Sequence, residues 1–509
     1  MKRTLHQWFA ASVAAHGDRV ALEVGEDRLT YRELHDLAER IAAGLVRAHG
    51  GTPGRVGLLA GRDVLAYAGY LAVQRLGGTV VPLNPAFPAA RNAAVVSAAG
   101  LDAVLVDGPA DALPAPAVAL DRTARPGDLP PHRPDADATA YILFTSGSTG
   151  TPKGVPITHR NVSAYLAHVI GRYGFGPGSR VSQTFDLTFD LSVFDMFATW
   201  GGGGTLVVPT RRDLMAPVRW VAEKELTHWF SVPSIVSFAE RMRALTPGRM
   251  PSLRWSLFCG EPLTTHQART WAAAAPHSTL ENLYGPTELT ISCVQFRLPA
   301  DPERWPDTPN GTVPIGELHP GLEHLLLDEN GFPADPAAGG ELVVRGVQRF
   351  PGYLDPADDT GRFVAFDGAR ATPYDGTGRL TEGHWYRTGD RVALRHGQLV
   401  HLGRMDQQVK IRGYRVELGE IEAALRAQPG VRDAIAIAVP DRGGETVLEA
   451  VCTGTGLDDP AALTARLREL LPPYMVPRGI SVFEQLPLNA NGKIDRRALA
   501  ATIHDQGAS

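Results

Sequence analysis

From Tyr31 to His49 the apolar residues Leu34, Leu37, Ile41, Leu45 and Val46 recur at helical spacing, and the mostly apolar run Arg55-Val-Gly-Leu-Leu-Ala60 follows. The pair then repeats: Val64 to Leu76 carries the helical period, and Thr79-Val-Val-Pro82 is again a short apolar run. A period of 3.6 residues asks for a helix with one buried stripe, whereas a short continuous apolar run bounded by turns suits a buried strand. Helices alternating with such strands fold into a sheet covered by helices on both faces, so the chain is read as α/β. Its 509 residues exceed what a single core serves, and at least two domains are expected.

A further feature limits the chemistry. The apolar strand beginning at Tyr141 runs directly into Thr145-Ser-Gly-Ser-Thr-Gly-Thr-Pro-Lys-Gly154. Gly147, Gly150 and Gly154 let the backbone approach a ligand closely with its N–H groups, Thr145, Ser146, Ser148 and Thr149 add hydroxyls, and Lys153 adds a cation. Such a loop suits the phosphates of ATP or a similar polyanion. It departs from the ordinary phosphate loop, because Pro152 stands five residues after Gly147 and Gly154 follows Lys153 where a magnesium-binding hydroxyl belongs. A P-loop kinase or GTPase is therefore disfavoured.

Composition excludes several other classes. Charged residues make up 21% of the chain and the net charge is −5, which leaves no basic excess for nucleic acid. Cys259, Cys293 and Cys452 are too few and too scattered for a disulfide framework or a zinc site, which fits a reducing cytoplasm. The basic start Met1-Lys-Arg breaks into polar residues, and no segment reaches the roughly 20 apolar residues of a membrane span. Neither export nor membrane insertion is expected.

Along the chain, the stretch from Gly108 to Asp137 is rich in Pro, Asp and Ala and reads as a surface connection. Gly201 to Gly204 reads as a loop before the strand Thr205-Leu-Val-Val208. Short strands and turns from Gly311 to Val400 suggest a β-rich region. Past Gly403 the pattern changes to a helix from Glu417 to Arg426, a strand from Ala434 to Val439 and a helix from Pro460 to Leu471. This is a separate α+β unit of about 100 residues.

The phosphate-binding stretch resembles the signature loop of the adenylate-forming superfamily, which includes acyl-CoA synthetases, luciferases and the adenylation domains of nonribosomal peptide synthetases. Further motifs of that family follow in order: Asn282-Leu-Tyr-Gly-Pro-Thr-Glu288, Gly340-Glu-Leu-Val-Val-Arg-Gly346, Tyr386-Arg-Thr-Gly-Asp390, Gly403-Arg-Met-Asp-Gln-Gln-Val-Lys-Ile-Arg-Gly413 and Asn491-Gly-Lys-Ile-Asp495. The resemblance covers nearly the whole chain. It implies a large N-terminal domain of layered α/β subdomains plus a β-rich subdomain, residues 1–403. A small mobile α+β lid, residues 404–509, would follow, hinged near Asp406.

The resemblance also implies roles. Lys493 would bridge the acyl carboxylate and the α-phosphate in the transition state. Glu288 would hold Mg²⁺, while Thr287 and Thr149 hydrogen-bond phosphate. Tyr284, next to Gly285, offers a flat face for adenine, and Asn282 an amide edge for its amino group. Asp390 is similar to the carboxylate that accepts both ribose hydroxyls, and Arg404 to a residue contacting ribose or phosphate. Taken alone, Lys493 could be a solvated lysine, Tyr284 a core tyrosine and Asp390 or Arg404 surface residues; the motif context carries these roles.

In amino-acid-activating members an aspartate at the place of Asp190 pairs with the substrate α-ammonium, which favours an amino acid over a fatty or aryl acid. Asp190 could equally cap a helix starting near Ser192, and Asp186 and Asp195 are the neighbouring carboxylates open to the same confusion. Carried over by position, the pocket wall comprises Leu191, Phe194, Ser234, Leu257, Cys259, Leu283, Ile291 and Ser292. It is mostly apolar and bulky, so a small uncharged side chain is expected. Phe258-Cys-Gly-Glu261, with Gly260 beside Cys259, closely resembles D-alanine:carrier-protein ligases, and alanine is the first choice of substrate. Cys259 as a covalent catalyst is disfavoured, since no His motif accompanies it.

The expected reaction makes an aminoacyl-adenylate and passes it to the phosphopantetheine thiol of a carrier protein. Lys493 is followed by 16 residues, so the carrier is expected on a separate chain. An acyl-CoA ligase and a catalytically inactive nucleotide-binding scaffold subunit are the alternatives. Asp190 opposes the first, and the intact set Lys493, Glu288 and Asp390 opposes the second.

Overall fold

The computed structural model describes residues 3–108, 113–146, 152–406, 408–441, 445–457, 459–487 and 496–506. The helix Tyr31–His49 forms where the 3.6 period places it. Thr30 Oγ1 accepts from Glu33 N while the Glu33 carboxylate accepts from Thr30 N, and Gly50 ends the helix in the left-handed region at φ 78°. The strands Arg55–Leu59 and Thr79–Leu83 pair in parallel, and the helix Val64–Arg75 that joins them packs on both. A parallel pair needs such a crossover, because its strands run the same way.

The chain forms two compact units. The first gathers residues 1–85, 95–144 and 154–405; the second gathers 86–94, 145–153 and 406–509. Among the described residues, one six-stranded sheet takes the order Ala117–Ala119, Ala103–Val106, Arg55–Leu59, Thr79–Leu83, Thr139–Thr145, Lys153–Thr158. A nine-stranded sheet is parallel through its middle, from Val20–Val24 to Thr279–Tyr284, and antiparallel at both edges. An antiparallel sheet follows, built around Gly340–Gly346, Trp385–Arg395 and Gln398–Arg404, where the β-rich region was expected. One continuous apolar core joins all three sheets, with Leu58, Leu206, Leu257 and Val344 among its members.

The helix Asp190–Gly202 is buried from Asp190 to Trp200, as befits a helix apolar nearly all round. Here the structure corrects the reading of Gly201 to Gly204 as a loop. The helix runs through Gly202 and ends on Gly203, left-handed at φ 83°. The glycines are there for space as well as conformation. A Cβ on Gly202 would lie 2.8 Å from Phe175 main-chain atoms, and one on Gly203 2.5 Å from the His16 ring. The close approach lets the buried helix end against its neighbours.

In the second unit the hairpin Gln408–Ile411 and Tyr414–Glu417 leads into the helix Leu418–Arg426. The strands Val431–Pro440, Thr446–Gly454 and Gly479–Val482 form a mixed sheet. With the helix Pro460–Leu470 they enclose a core of their own, including Val416, Ile421, Ala450 and Leu467. Among the described residues no helix is long and apolar enough to cross a membrane.

Candidate active site

The strand Thr139–Thr145 is buried through its centre and delivers Thr145, half-buried, to the expected phosphate loop. Lys153, half-buried, opens the strand Lys153–Thr158 on the far side. Gly147, Ser148, Thr149 and Gly150 lie outside the described residues, as does Lys493. Ser146 is buried, and its hydroxyl donates to Arg415 O at 2.6 Å while accepting from Glu417 N at 3.2 Å, all within the second unit. In this arrangement the hydroxyl is engaged with main chain.

The antiparallel register sets Asp390 directly opposite Arg404. Asp390 Oδ2 accepts from Tyr284 Oη at 2.6 Å and lies 3.2 Å from Arg404 Nη1, and Oδ1 lies 2.9 Å from His401 Nε2. Burial works against a charge on Asp390. The hydrogen bond from His401 and the charge of Arg404 outweigh it and hold the carboxyl at about 2. Arg404 Nη1 also donates to Thr388 O at 2.9 Å, so the guanidinium is braced from two sides. His401 is the member that the sequence reading missed. It lies three residues before Arg404 in the same strand, a spacing out of step with the two-residue pleat, so the sequence carried no signal for it.

Asn282 is buried, and its amide nitrogen donates to Val313 O at 3.2 Å and Pro314 O at 2.9 Å. Both N–H groups are thus spent on main chain, which leaves Oδ1 as the edge that can accept from an adenine amino group. Gly285 follows Tyr284, and a Cβ there would lie 2.6 Å from Ser292 Cα. Thr287 opens the short 3₁₀ turn Thr287–Leu289. Glu288 is fully buried in that turn, its Oε1 accepting from Tyr353 Oη at 2.7 Å and its main-chain oxygen from Phe350 N at 2.9 Å. No cluster of three or more His, Cys, Asp or Glu that could hold a metal occurs among the described residues. One buried, oriented carboxylate fits Mg²⁺, which takes one or two carboxylates and fills its shell with phosphate oxygens and water.

Asp190 opens the helix Asp190–Gly202. The N-cap is Phe189 and carries no side-chain cap bond, so Asp190 is not the cap. At 7% exposure, its charge reaches the Tyr141 and Tyr165 hydroxyls. Burial pushes both pKa values well above the usual phenol range, and the Asp190 charge adds to this, as the second cause at Tyr141 and behind the Ser292 hydrogen bond, which opposes, and Cys259 at Tyr165. Asp186 is occupied otherwise, accepting from Thr188 N, Thr188 Oγ1 and Asn84 Nδ2. Asp195 is buried completely, and burial pushes its pKa well above that of a free carboxyl, which favours the uncharged form.

The structure brings Leu191, Phe194, Leu257, Cys259, Leu283 and Ile291 into the same buried core, together with Tyr165 and Phe230. The Tyr165 and Phe194 rings lie 6.1 Å apart, Phe194 and Phe230 4.8 Å, and Ser292 Oγ donates to Tyr165 Oη at 3.2 Å. Ser234 opens the helix Ser234–Arg241, and its N–H donates to Glu261 at 2.9 Å across the left-handed Gly260. Tyr165 was missed because one tyrosine in a helical apolar stripe looks like any core residue.

The AMP-binding enzyme family matches residues 9–354, and the AMP-binding enzyme C-terminal domain matches residues 420–493. CymA of Salinispora arenicola, named as a probable non-canonical nonribosomal peptide synthetase, is 36% identical over 96% of this chain. The match takes up only 6% of CymA, so the chain spans a small part of that relative's length. The adenylation domain AlmE of Vibrio cholerae, solved with glycyl-adenosine-5'-phosphate, has a TM-score of 0.83 at 28% identity, covering 98% of each chain. PA1221, a nonribosomal peptide synthetase protein containing adenylation and PCP domains, has a TM-score of 0.82 at 28% identity over 98% of this chain and 84% of that one.

Proposed function

This chain belongs to the AMP-binding enzyme family, as an adenylation domain of the nonribosomal peptide synthetase type, and on that premise we propose that it activates a small uncharged amino acid, alanine first. ATP and Mg²⁺ supply the activating group: the amino acid carboxylate attacks the α-phosphorus, pyrophosphate leaves, and an aminoacyl-adenylate forms. The phosphopantetheine thiol of a carrier protein, a separate chain in this reading, then attacks the aminoacyl carbonyl, so that the aminoacyl thioester forms as the bond to AMP breaks and AMP leaves. The observation that carries the proposal is Asp190, a buried carboxylate at the head of a buried helix whose field reaches the aromatic hydroxyls of the apolar pocket. A buried carboxylate suits an ammonium partner, since a charge taken from water needs an opposite one.

The small substrate is supported by the bulk of Leu191, Phe194, Leu257 and Ile291, by the likeness of Phe258-Cys-Gly-Glu261 to D-alanine:carrier-protein ligases, and by the glycyl-adenylate bound in AlmE. Asp390, with Tyr284, His401 and Arg404, would receive the ribose, and Glu288 the Mg²⁺. Lys493 would neutralise charge that develops between carboxylate and phosphate.

Pyrophosphate exchange over D- and L-alanine, glycine, serine and β-amino acids tests the substrate, and a comparison of CoA with carrier protein tests the acceptor. Exchange that is strongest with alanine or glycine, with transfer to carrier and not to CoA, is expected. Strong exchange with a bulky or charged amino acid would overturn the substrate reading, and efficient thioester formation with CoA the acceptor. Lys493→Ala should abolish exchange while ATP binding changes little, because the cation acts mainly in the transition state.

A further inference from the structure

Gln348 lies two residues beyond the strand Gly340–Gly346 and is 1% exposed. Its amide nitrogen faces three main-chain oxygens of one short segment: Leu289 O at 3.2 Å, Thr290 O at 3.4 Å and Ser292 O at 2.7 Å. Its own main-chain oxygen accepts from Thr290 Oγ1. Only a donor can face three carbonyls, which sends Oε1 the other way, to His319 Nδ1 at 3.1 Å. Burial, and then the neighbouring His168, hold His319 neutral, with its pKa down at about 3. Its single ring proton therefore sits on Nδ1 and donates to Gln348, fixing the amide orientation.

The segment needs this hold. Thr290 at φ 60° and Ile291 at φ 72° are successive β-branched residues in the left-handed region. That conformation persists only where the surroundings impose it. The two halves of the segment also carry different chemistry. Glu288, upstream, has its own anchors in Phe350 N and Tyr353 Oη. Downstream, Thr290 and Ser292, which flank Ile291, hang on Gln348, with Ser292 Oγ going on to Tyr165.

We propose that Gln348 is a positioning residue for the amino acid side of the pocket, holding Ile291 and Ser292 in place while Tyr353 separately holds the metal-side carboxylate Glu288. The proposal rests on the reading of Ile291 and Ser292 as pocket wall and of Glu288 as metal ligand.

Gln348→Met keeps the length of the side chain and removes its donors. In pyrophosphate exchange it should raise the KM for the preferred amino acid about tenfold or more while the ATP KM stays within about twofold. Tyr353→Phe should do the reverse, raising the ATP KM and the Mg²⁺ requirement while sparing the amino acid KM. Unchanged amino acid KM in Gln348→Met, or equal rises in both KM values, would overturn the proposal. Should that variant fail to fold, His319→Phe removes the group that orients the amide, and the same one-sided shift in smaller degree is expected; its absence counts against the proposal equally. Wild-type protein without any amino-acid-dependent exchange would remove the underlying pocket reading, and the proposal with it.

Discussion

His401 stands 2.9 Å from Asp390, its Nε2 against Oδ1, and because the carboxylate can only accept, that nitrogen carries a proton. Together with Tyr284 and Arg404 it occupies three of the roughly four lone-pair directions of the carboxylate. One ribose hydroxyl can join directly, whereas a second must displace a neighbour. On the proposed reading of Asp390 as the ribose carboxylate, the orientation that His401 enforces serves nucleotide binding. Losing a hydrogen bond to a buried charge costs about 1.5–3 kcal/mol, so His401→Phe should raise the ATP KM roughly tenfold to a hundredfold. The KM for the amino acid should hardly move. ATP-dependent pyrophosphate exchange measures both.

Asp190→Ala should cripple use of the amino acid, because stripping a desolvated ammonium of its partner costs on the order of 3–5 kcal/mol, which lowers kcat/KM by at least roughly a hundredfold. Asp195→Asn is the informative control. Burial pushes the Asp195 pKa up and so favours the uncharged form that the amide mimics, and exchange should stay within about twofold of wild type. Retained alanine activity in Asp190→Ala with loss in Asp186→Ala would mean that the amine sits elsewhere, as in a β-amino acid.

The helix Tyr31–His49 and the strand Thr205–Val208 were legible to the residue because each is a local pattern bounded by its own caps and turns. The helix through Gly202 was not. Its glycines serve contacts with His16 and Phe175, and those partners come from other elements. The site divides in the same way. Asp190, Glu288 and Asp390 belong to recognisable motifs, whereas His401, Tyr165 and Gln348 act through register and packing that a linear pattern does not carry.

A cluster of buried histidines makes stability depend on pH. His159 Nδ1 accepts from Leu5 N at 3.1 Å, which requires a neutral ring, and His6 packs 4.5 Å from His132. Burial, then neighbours led by His132, lower His6 to about 3 and His159 to about 4; Arg75 adds to the first and Asp135 opposes the second. A base whose folded pKa is depressed lets the unfolded chain bind the extra proton below pH 6.5. Stability therefore falls as the pH drops from 6.5 towards 3–4, by roughly 2 kcal/mol per histidine at pH 5. Urea midpoints between pH 7.5 and pH 5 should show this slope, and His6→Phe should flatten it. An equal slope in both proteins would place the acid sensitivity elsewhere.

In the proposed site Gly285 joins the two halves, following Tyr284 on the nucleotide side and lying close against Ser292 on the amino acid side. A Cβ at this position would lie 2.6 Å from Ser292 Cα, 2.9 Å from Cys293 N and 3.0 Å from Ser292 C, all main-chain atoms that cannot rotate away. Cys293 N donates to Tyr284 O at 2.8 Å, so any retreat of the segment also breaks the strand pairing that holds Tyr284. Gly285→Ala should therefore cost about 1–3 kcal/mol as overpacking and lower the urea midpoint. It should also raise the KM for ATP and for the amino acid together, in contrast to the one-sided shifts expected at His401 and Gln348. Wild-type values for both substrates in Gly285→Ala would show that the close approach is not needed, and that the two half-sites are not mechanically joined at this residue.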